Sequence, residues 1–507
     1  MSSAAVAEQA TRQRERTHSN AVERILNFDL SQPLAFLGLA IAYVASRAPF
    51  VNIGFGTDPD AWRVAQSGYW LWDQHSFYPS RLPGYPIPEF ASAAVIKGDW
   101  LATNSLTVLV SLVGLWFFAR IVRELGLPNR GLLVAGFAFT PLLWINSMTT
   151  MDYMWALTFI LASYYCLIKE RTGLAGLLLG CAAASRSTSL LLIVPFLVHL
   201  WRDGKRAETR DFVVWTLAVP VIAYLPIAWR YGAGFLTFYD TKVGYLNVLR
   251  LLGKDCLGLI GATGVILAIV ISLPRLAMLP RDFMRDKNVS VWVLSIVIAL
   301  LVFSRLPHES AYLIPLYPFG FFIMAKYFQR WVLAGALSLI VLAGFVDLTS
   351  PGDNINIRAF THAHLGQGLV LSNRDTMYSQ LRFVHDIETA EIPDQSVVSL
   401  GFIFPEFAVL NRDRLEPGIL EKDTSSISQL SDQGKSEDVQ HKKLFVWLLD
   451  YKEFEKYKRL GYGFFYTQDA GRSTAALYDY RPGIVGEKLL DFGRGPSGSS
   501  GAARTDR

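Results

Sequence analysis

Sulfur and metal chemistry have little to work with in this sequence. Its three cysteines, Cys166, Cys181 and Cys256, lie far apart in or beside apolar segments, with no CxxC or Cys/His spacing that builds a zinc site. They read as small core residues. Charge is scarce as well: 18% of residues are Asp, Glu, Lys or Arg, against roughly 25% in soluble domains. Those charges gather between long apolar runs. The basic surplus, 48 residues against 43, is small and lies beside the same runs, which argues against nucleic acid as a partner. The first 32 residues carry Arg12, Arg14, Arg16 and Arg24 without an apolar h-region. A cleavable secretory signal is therefore not expected, and the first span must serve as its own insertion signal. There is no internal repeat of fixed period, and no broken-helix pair in matching halves of the kind that marks secondary transporters.

What the chain has is apolar length. With 51% hydrophobic and 13% aromatic residues over 507 positions, it reads as a polytopic all-α membrane protein with a small C-terminal extracytoplasmic α/β domain. A spanning helix needs about 20 apolar residues. About eleven candidates run near 33–51, 100–122, 131–147, 151–168, 173–185, 187–201, 212–229, 255–273, 289–304, 311–326 and 331–349. Lys and Arg in the alternate loops number 18 on one side and 9 on the other. The richer set holds the N-terminus and the loops near 123–130, 169–173, 201–211, 274–288 and 326–330, and is assigned to the cytoplasm of a plasma (inner) membrane.

The expected order is a cytoplasmic segment 1–32, a membrane domain 33–349 with a first extracytoplasmic loop 52–99, an α/β domain 350–492, and a disordered tail 493–507. The strand, helix, strand pattern of the α/β domain shows in Leu444–Leu449, 451–460 and Tyr462–Thr467. Residues 422–442 read as a mobile loop. The loop 230–254, with Lys242 among Tyr231, Phe235, Phe238, Tyr239 and Tyr245, either covers a lipid substrate or is an interfacial connector.

Chemistry concentrates in the first loop. In Gly56-Thr57-Asp58-Pro59-Asp60-Ala61-Trp62-Arg63, Thr57 or Asp58 can cap a helix whose first turn suits Pro59, with Val64, Gly68, Leu71 and Trp72 on one side. The two carboxylates either do acid–base work or only cap that helix. Downstream, Tyr78-Pro79-Ser80-Arg81-Leu82-Pro83-Gly84-Tyr85-Pro86-Ile87-Pro88-Glu89 is stiffened by four prolines. Its Arg81 is a guanidinium fork suited to phosphate, or else a salt-bridge partner for Glu89 or an aspartate. Arg186, between two short apolar runs, reads as functional or as a turn arginine reaching the interface. Asp152 is a second acid or the N-cap of the fourth span, and His308 is a site residue or a partner for Glu309.

The segments Asp60-x-Trp62-x-x-Ala65 and Arg81-x-Pro83-Gly84-Tyr85-Pro86 resemble the first extracytoplasmic loop of GT-C membrane glycosyltransferases, among them the protein O-mannosyltransferases and lipid A aminoarabinose transferases. Met151-Asp152-Tyr153 and His308-Glu309-x-Ala311-Tyr312-Leu313-x-Pro315-Leu316-Tyr317-Pro318 are similar to two further segments of that family, in the same order. The family's acidic pair stands here as Asp58-Pro59-Asp60, and its late Arg-Tyr as Ala311-Tyr312 with Arg305 and His308 nearby.

The resemblance implies transfer of a sugar from a polyprenyl-phosphate-linked donor to a hydroxyl of a lipid, glycan or protein acceptor. Asp58 or Asp60 is then the general base, with Asp152 as a further acid. Arg81, Arg186, Arg305 and His308 are candidates to face the leaving phosphate, and Tyr85, Glu89 and Glu309 to shape the substrate loop. A divalent metal, Mg or Mn, bridging Asp58 or Asp60 to phosphate is compatible with this chemistry but not required by it. Two other readings stand beside it: a transporter or flippase of a lipid-linked or anionic solute, and a non-catalytic envelope assembly subunit.

Overall fold

The computed structural model describes residues 28–204, 206–232, 248, 250–305, 307, 309–349, 364–417, 435–468, 476–481 and 484–491. The arginines of the N-terminal segment, most of the loop 230–254, most of the expected mobile loop and the whole 493–507 tail lie outside the described residues, as does His308.

The chain divides into two compact units. One holds residues up to Gly56 and Ser67–Asp375; the other holds Thr57–Gln66 and Thr376–Arg507. One division falls within a later helix, and a ten-residue piece of the first loop belongs to the C-terminal unit.

The first unit is helical. In chain order it contains α1 Pro33–Arg47, the second half of α2 Pro59–Asp73, α3 Pro86–Val95, α4 Asp99–Glu124, α5 Arg130–Ala138, α6 Pro141–Ser147, α7 Tyr153–Ile168, α8 Thr172–Ser185, α9 Ile193–Arg202, α10 Arg206–Tyr231, α11 Cys256–Leu276, α12 Leu279–Arg285, α13 Lys287–Arg305, α14 Leu316–Tyr327 and α15 Arg330–Leu342. Strands β1 Val346–Thr349 and β2 His364–Gln367 follow as an antiparallel pair, and then the start of α16 Leu369–Thr389.

Among the described residues, four stretches are long and apolar enough to cross a membrane: Pro86–Glu124, Glu208–Tyr231, Leu251–Leu276 and Lys287–Arg305. The expectation of about eleven spans is not met, because α1, α7, α8 and α15 are apolar but fall in the 10–17 residue class. The hydropathy windows ran through real breaks. The window 131–147 is interrupted at Phe139 and Thr140 before Pro141, giving α5 and α6. The window 187–201 opens as a 3-10 turn, Ser187–Leu192. Large apolar side chains face outward on the long helices, including Val221, Ile222 and Leu225 of α10, Ile266, Leu267 and Val270 of α11, and Leu301 of α13. Such a band makes this a helical membrane protein.

Ion pairs between loops of this unit sort into the two sets read from the sequence. Asp29 meets Arg123, Glu124 meets Lys169, Asp203 meets Lys287 and Asp286 meets Lys326, all within the basic-rich set. At the other end, Asn104 of α4 donates to the carbonyls of Val51 and Gly54 and accepts from Thr150, while the Thr150 amide donates to Phe55. This buried network fixes the entry to the first loop against the segment that carries Asp152. Arg47, fully buried at the end of α1, donates to Ser147 Oγ at 2.8 Å and to the Ala138 carbonyl at 2.7 Å, and its guanidinium lies 3.4 Å from the Tyr43 ring centre. It joins α1 to the ends of α5 and α6. Asp347 of β1 accepts from the Leu259 and Ile260 amides at 2.8 Å each, capping the kink in α11 at Gly258, whose φ of 71° leaves room for that carboxylate.

The C-terminal unit is an α/β domain. Its sheet runs β4-β5-β6-β3-β7-β8-β9, from β3 Ser396–Ser399, β4 Glu416–Pro417, β5 Lys435–Asp438, β6 Lys443–Val446, β7 Phe464–Thr467, β8 Ala476–Arg481 and β9 Ile484–Asp491. β3 pairs in parallel with β6 and β7, and the other pairs are antiparallel. The expected strand, helix, strand is found as β6, α18 Tyr451–Arg459 and β7, with Asp450 capping α18 through the Glu453 amide. β5 lies within the stretch read as a loop. One face of the sheet packs Val398, Phe445 and Tyr466 against Phe383 and Ile387 of α16 and Phe404 and Phe407 of α17 Phe404–Leu410. The other packs Val397, Val446 and Phe465 against Tyr457 of α18.

Glu406 of α17 is buried, with no partner for its Oε1 among the described residues. Burial pushes its carboxyl well above the usual carboxylate range. The folded domain therefore holds it neutral. Its contribution to stability is full below the unfolded value of about 4.3 and is lost as pH rises toward the folded one. Glu406→Gln, a mimic of the neutral acid, should flatten the fall in the domain's thermal midpoint as pH rises above the unfolded carboxylate value, followed by tryptophan fluorescence of the full-length protein. An unchanged pH slope would contradict this.

Candidate functional site

At the end of the helical unit opposite the basic-rich loops, three buried charges meet. Asp152 precedes α7 at its N-cap position, yet its side chain makes no capping bond. It turns instead to two arginines. Arg81 Nη2 donates to its Oδ1 at 2.9 Å and Arg186 Nη1 to its Oδ2 at 2.6 Å. The capping alternative is thereby excluded for this side chain, and Arg186 is a buried partner rather than an arginine reaching the interface.

Each charge reaches this place for a local reason. Arg186 sits at the break between α8 and the 3-10 turn, in an extended conformation that takes its side chain out of both helices. Arg81 is held by the stiff loop. Buried Glu89, in the first turn of α3, accepts from the Ser80 amide at 2.8 Å, from Ser80 Oγ, and from the Tyr85 amide at 3.3 Å. The salt bridge expected as one alternative for Arg81 therefore goes to Asp152, and Glu89 orders the loop. The loop closes at Gly84, where φ is 93° and a Cβ would lie 2.4 Å from Ile227 of α10. Tyr224, also on α10, lies 3.2 Å from the carbonyls of both Gly84 and Ala183.

Aromatic faces complete the site. The Arg81 guanidinium lies 4.1 Å from the Tyr85 ring centre, and that of Arg186 lies between Tyr153 and Tyr312, at 4.4 and 4.5 Å. Burial pushes the Tyr85 phenol up, so it stays a neutral donor. Two guanidiniums and one carboxylate are buried together here, with the Glu89 carboxyl in the loop that carries Arg81, and charges so placed act over distance more strongly than in water. Such an arrangement receives an anion with a planar or tetrahedral oxygen face.

The other candidates are placed differently. Arg305, the last residue of α13, is exposed, and Glu309 precedes the 3-10 turn Ser310–Leu313. Asp58 and Asp60 belong to the C-terminal unit. Asp58 Oδ1 accepts from the Asp60 amide at 2.9 Å, so it caps α2 as the sequence suggests, and Asp60 pairs with Arg63 at 3.3 Å. Val64 and Gly68 of α2 are buried, but Trp72, expected on the same side, is exposed. Among the described residues no three His, Cys, Asp or Glu side chains gather to hold a metal. Two carboxylates already engaged with an amide and a guanidinium do not make the oxygen cage that Mg or Mn takes. Tyr224 escaped the sequence reading, for a tyrosine inside an apolar span carries no local signal of what it faces.

Removing the shared carboxylate should be costly. Asp152→Ala leaves two buried cations uncompensated, an expected loss of about 3–5 kcal/mol, and combining it with Arg186→Met should recover part of that. Thermal melting in detergent reads both, and an Asp152→Ala variant that melts like the wild type would contradict the charge balance. No protein-family model matches this chain, and no curated protein matches it.

Proposed function

We propose that this protein is a GT-C-like membrane glycosyltransferase that moves a sugar from a polyprenyl-phosphate-linked donor to an acceptor hydroxyl. The observation that carries the proposal is the buried Arg81–Asp152–Arg186 group, two guanidinium forks held at one carboxylate. The acceptor oxygen attacks the anomeric carbon as its proton passes to a carboxylate, for which Asp58 and Asp60 are the candidates. The bond from that carbon to the phosphate oxygen breaks, and the lipid phosphate leaves with the electron pair. Arg81 and Arg186 receive that developing charge, Asp152 holds their two planes in place, and the Tyr85, Tyr153 and Tyr312 rings keep water from the guanidinium faces.

The buried charges flank helix ends: Asp152 precedes α7, and Arg186 separates α8 from the 3-10 turn. That placement favours chemistry at a membrane face over passage through its middle, where a transporter keeps its ionisable groups. The proposal places the protein in a plasma membrane with its N-terminus in the cytoplasm and its site and C-terminal unit outside, on the Lys and Arg count of the sequence alone.

The test is release of lipid phosphate by purified protein given a polyprenyl-phosphate sugar and a hydroxyl acceptor. Arg81→Lys and Arg186→Lys keep charge but lose the fork, and each should slow release by about 100-fold. Asp58→Asn or Asp60→Asn should abolish turnover. Full turnover in both aspartate variants would end the role of this pair, and wild-type protein that consumes no donor would end the glycosyltransferase proposal.

A further inference from the structure

We propose that the C-terminal unit positions the Asp58–Asp60 segment, with Trp447 as the positioning residue acting through Arg63; this rests on the proposed function in giving the two aspartates catalytic work. Residues 57–66 cluster with this unit rather than with the helices they follow in sequence. A run of contacts within the unit ends on the two carboxylates. The Trp447 ring centre lies 4.4 Å from the Arg63 guanidinium carbon, Arg63 Nη1 lies 3.3 Å from Asp60 Oδ1, and the Asp60 amide donates to Asp58 at 2.9 Å. At the head of the segment, Gln380 of α16 donates to the Thr57 carbonyl at 3.1 Å.

Trp447 is itself fixed. It is buried one residue beyond β6, its carbonyl accepts from the Gly401 amide at 2.9 Å and from Ser399 Oγ at 3.2 Å, and its ring meets Phe402 edge-on at 5.3 Å. This is also the carboxyl edge of adjoining parallel strands whose connections part. β3 leads to α17 in one core, and β6 leads to α18 in the other. In open α/β sheets that divergence forms the crevice that receives ligands. Here it receives the chain's own arginine. Arg63 is buried between an indole face and a carboxylate, which sets the plane of Asp60 more firmly than an exposed i,i+3 pair would.

The unit thus sets the geometry of an acid pair encoded more than 300 positions earlier, and the effect should appear in turnover rather than donor binding. In the full-length protein, Trp447→Ala should lower kcat for lipid-phosphate release about 10- to 100-fold, with KM for the donor unchanged. Trp447→Phe, which keeps a ring face, should restore most of it. Arg63→Ala should match Trp447→Ala, and the double variant should lose no more than either single one. Hydrogen exchange supplies a readout that needs no activity: in Trp447→Ala and Arg63→Ala the amides of residues 60–65 should lose protection while those of β3 keep it. Wild-type kcat in both variants, losses that multiply, or unchanged protection of residues 60–65 would overturn the proposal. If wild-type protein consumes no donor, the glycosyltransferase reading fails by itself, and exchange alone then decides the positioning role.

Discussion

A carboxylate taken out of water must be compensated, and Asp152 is compensated twice. Its two oxygens are divided between Arg81 and Arg186, which come from a proline-stiffened loop and from a break between helices. Most of the ordering at this end of the helical unit serves that meeting. Glu89 ties down the loop on either side of Arg81, the Asn104 network locks the approach to Asp152, and Tyr224 brings α10 to the loop at Gly84. Replacing such a group by apolar side chains often costs nothing in stability, so under the proposed function its presence is explained by two guanidinium forks offered to an anion.

The residues named in the proposed reaction fall in both units. The helical unit holds the cations; the α/β unit holds the short segment with the two aspartates. Chain connectivity joins them through α2, whose first turns belong to one unit and whose last turns belong to the other.

Local chemistry was legible in advance. Asp58 before Pro59 announced the start of α2, Arg81 among prolines announced a fixed cation, and the helical stretch 451–460 between two apolar runs announced α18. The outward apolar faces of α10, α11 and α13 follow from composition alone. Where the reading failed, the deciding contacts were long-range or the breaks were subtle. Asp152 looks like a cap from its neighbours, and only Arg81 and Arg186, 71 and 34 positions away, make it a charge hub. Hydropathy cannot see that Thr140 and Pro141 split one apolar window into α5 and α6, so it counts spans where the helices are short. Nor does anything between Thr57 and Gln66 announce Trp447.

The central claim is that Arg81 and Arg186 together receive a lipid phosphate. Its most direct test is a structure of the full-length protein in a lipid nanodisc with a polyprenyl monophosphate bound. The account expects phosphate oxygens at hydrogen-bond distance, about 3 Å, from both guanidiniums, with Asp152 still holding them. A phosphate bound elsewhere, with both arginines closed on Asp152 alone, would contradict it.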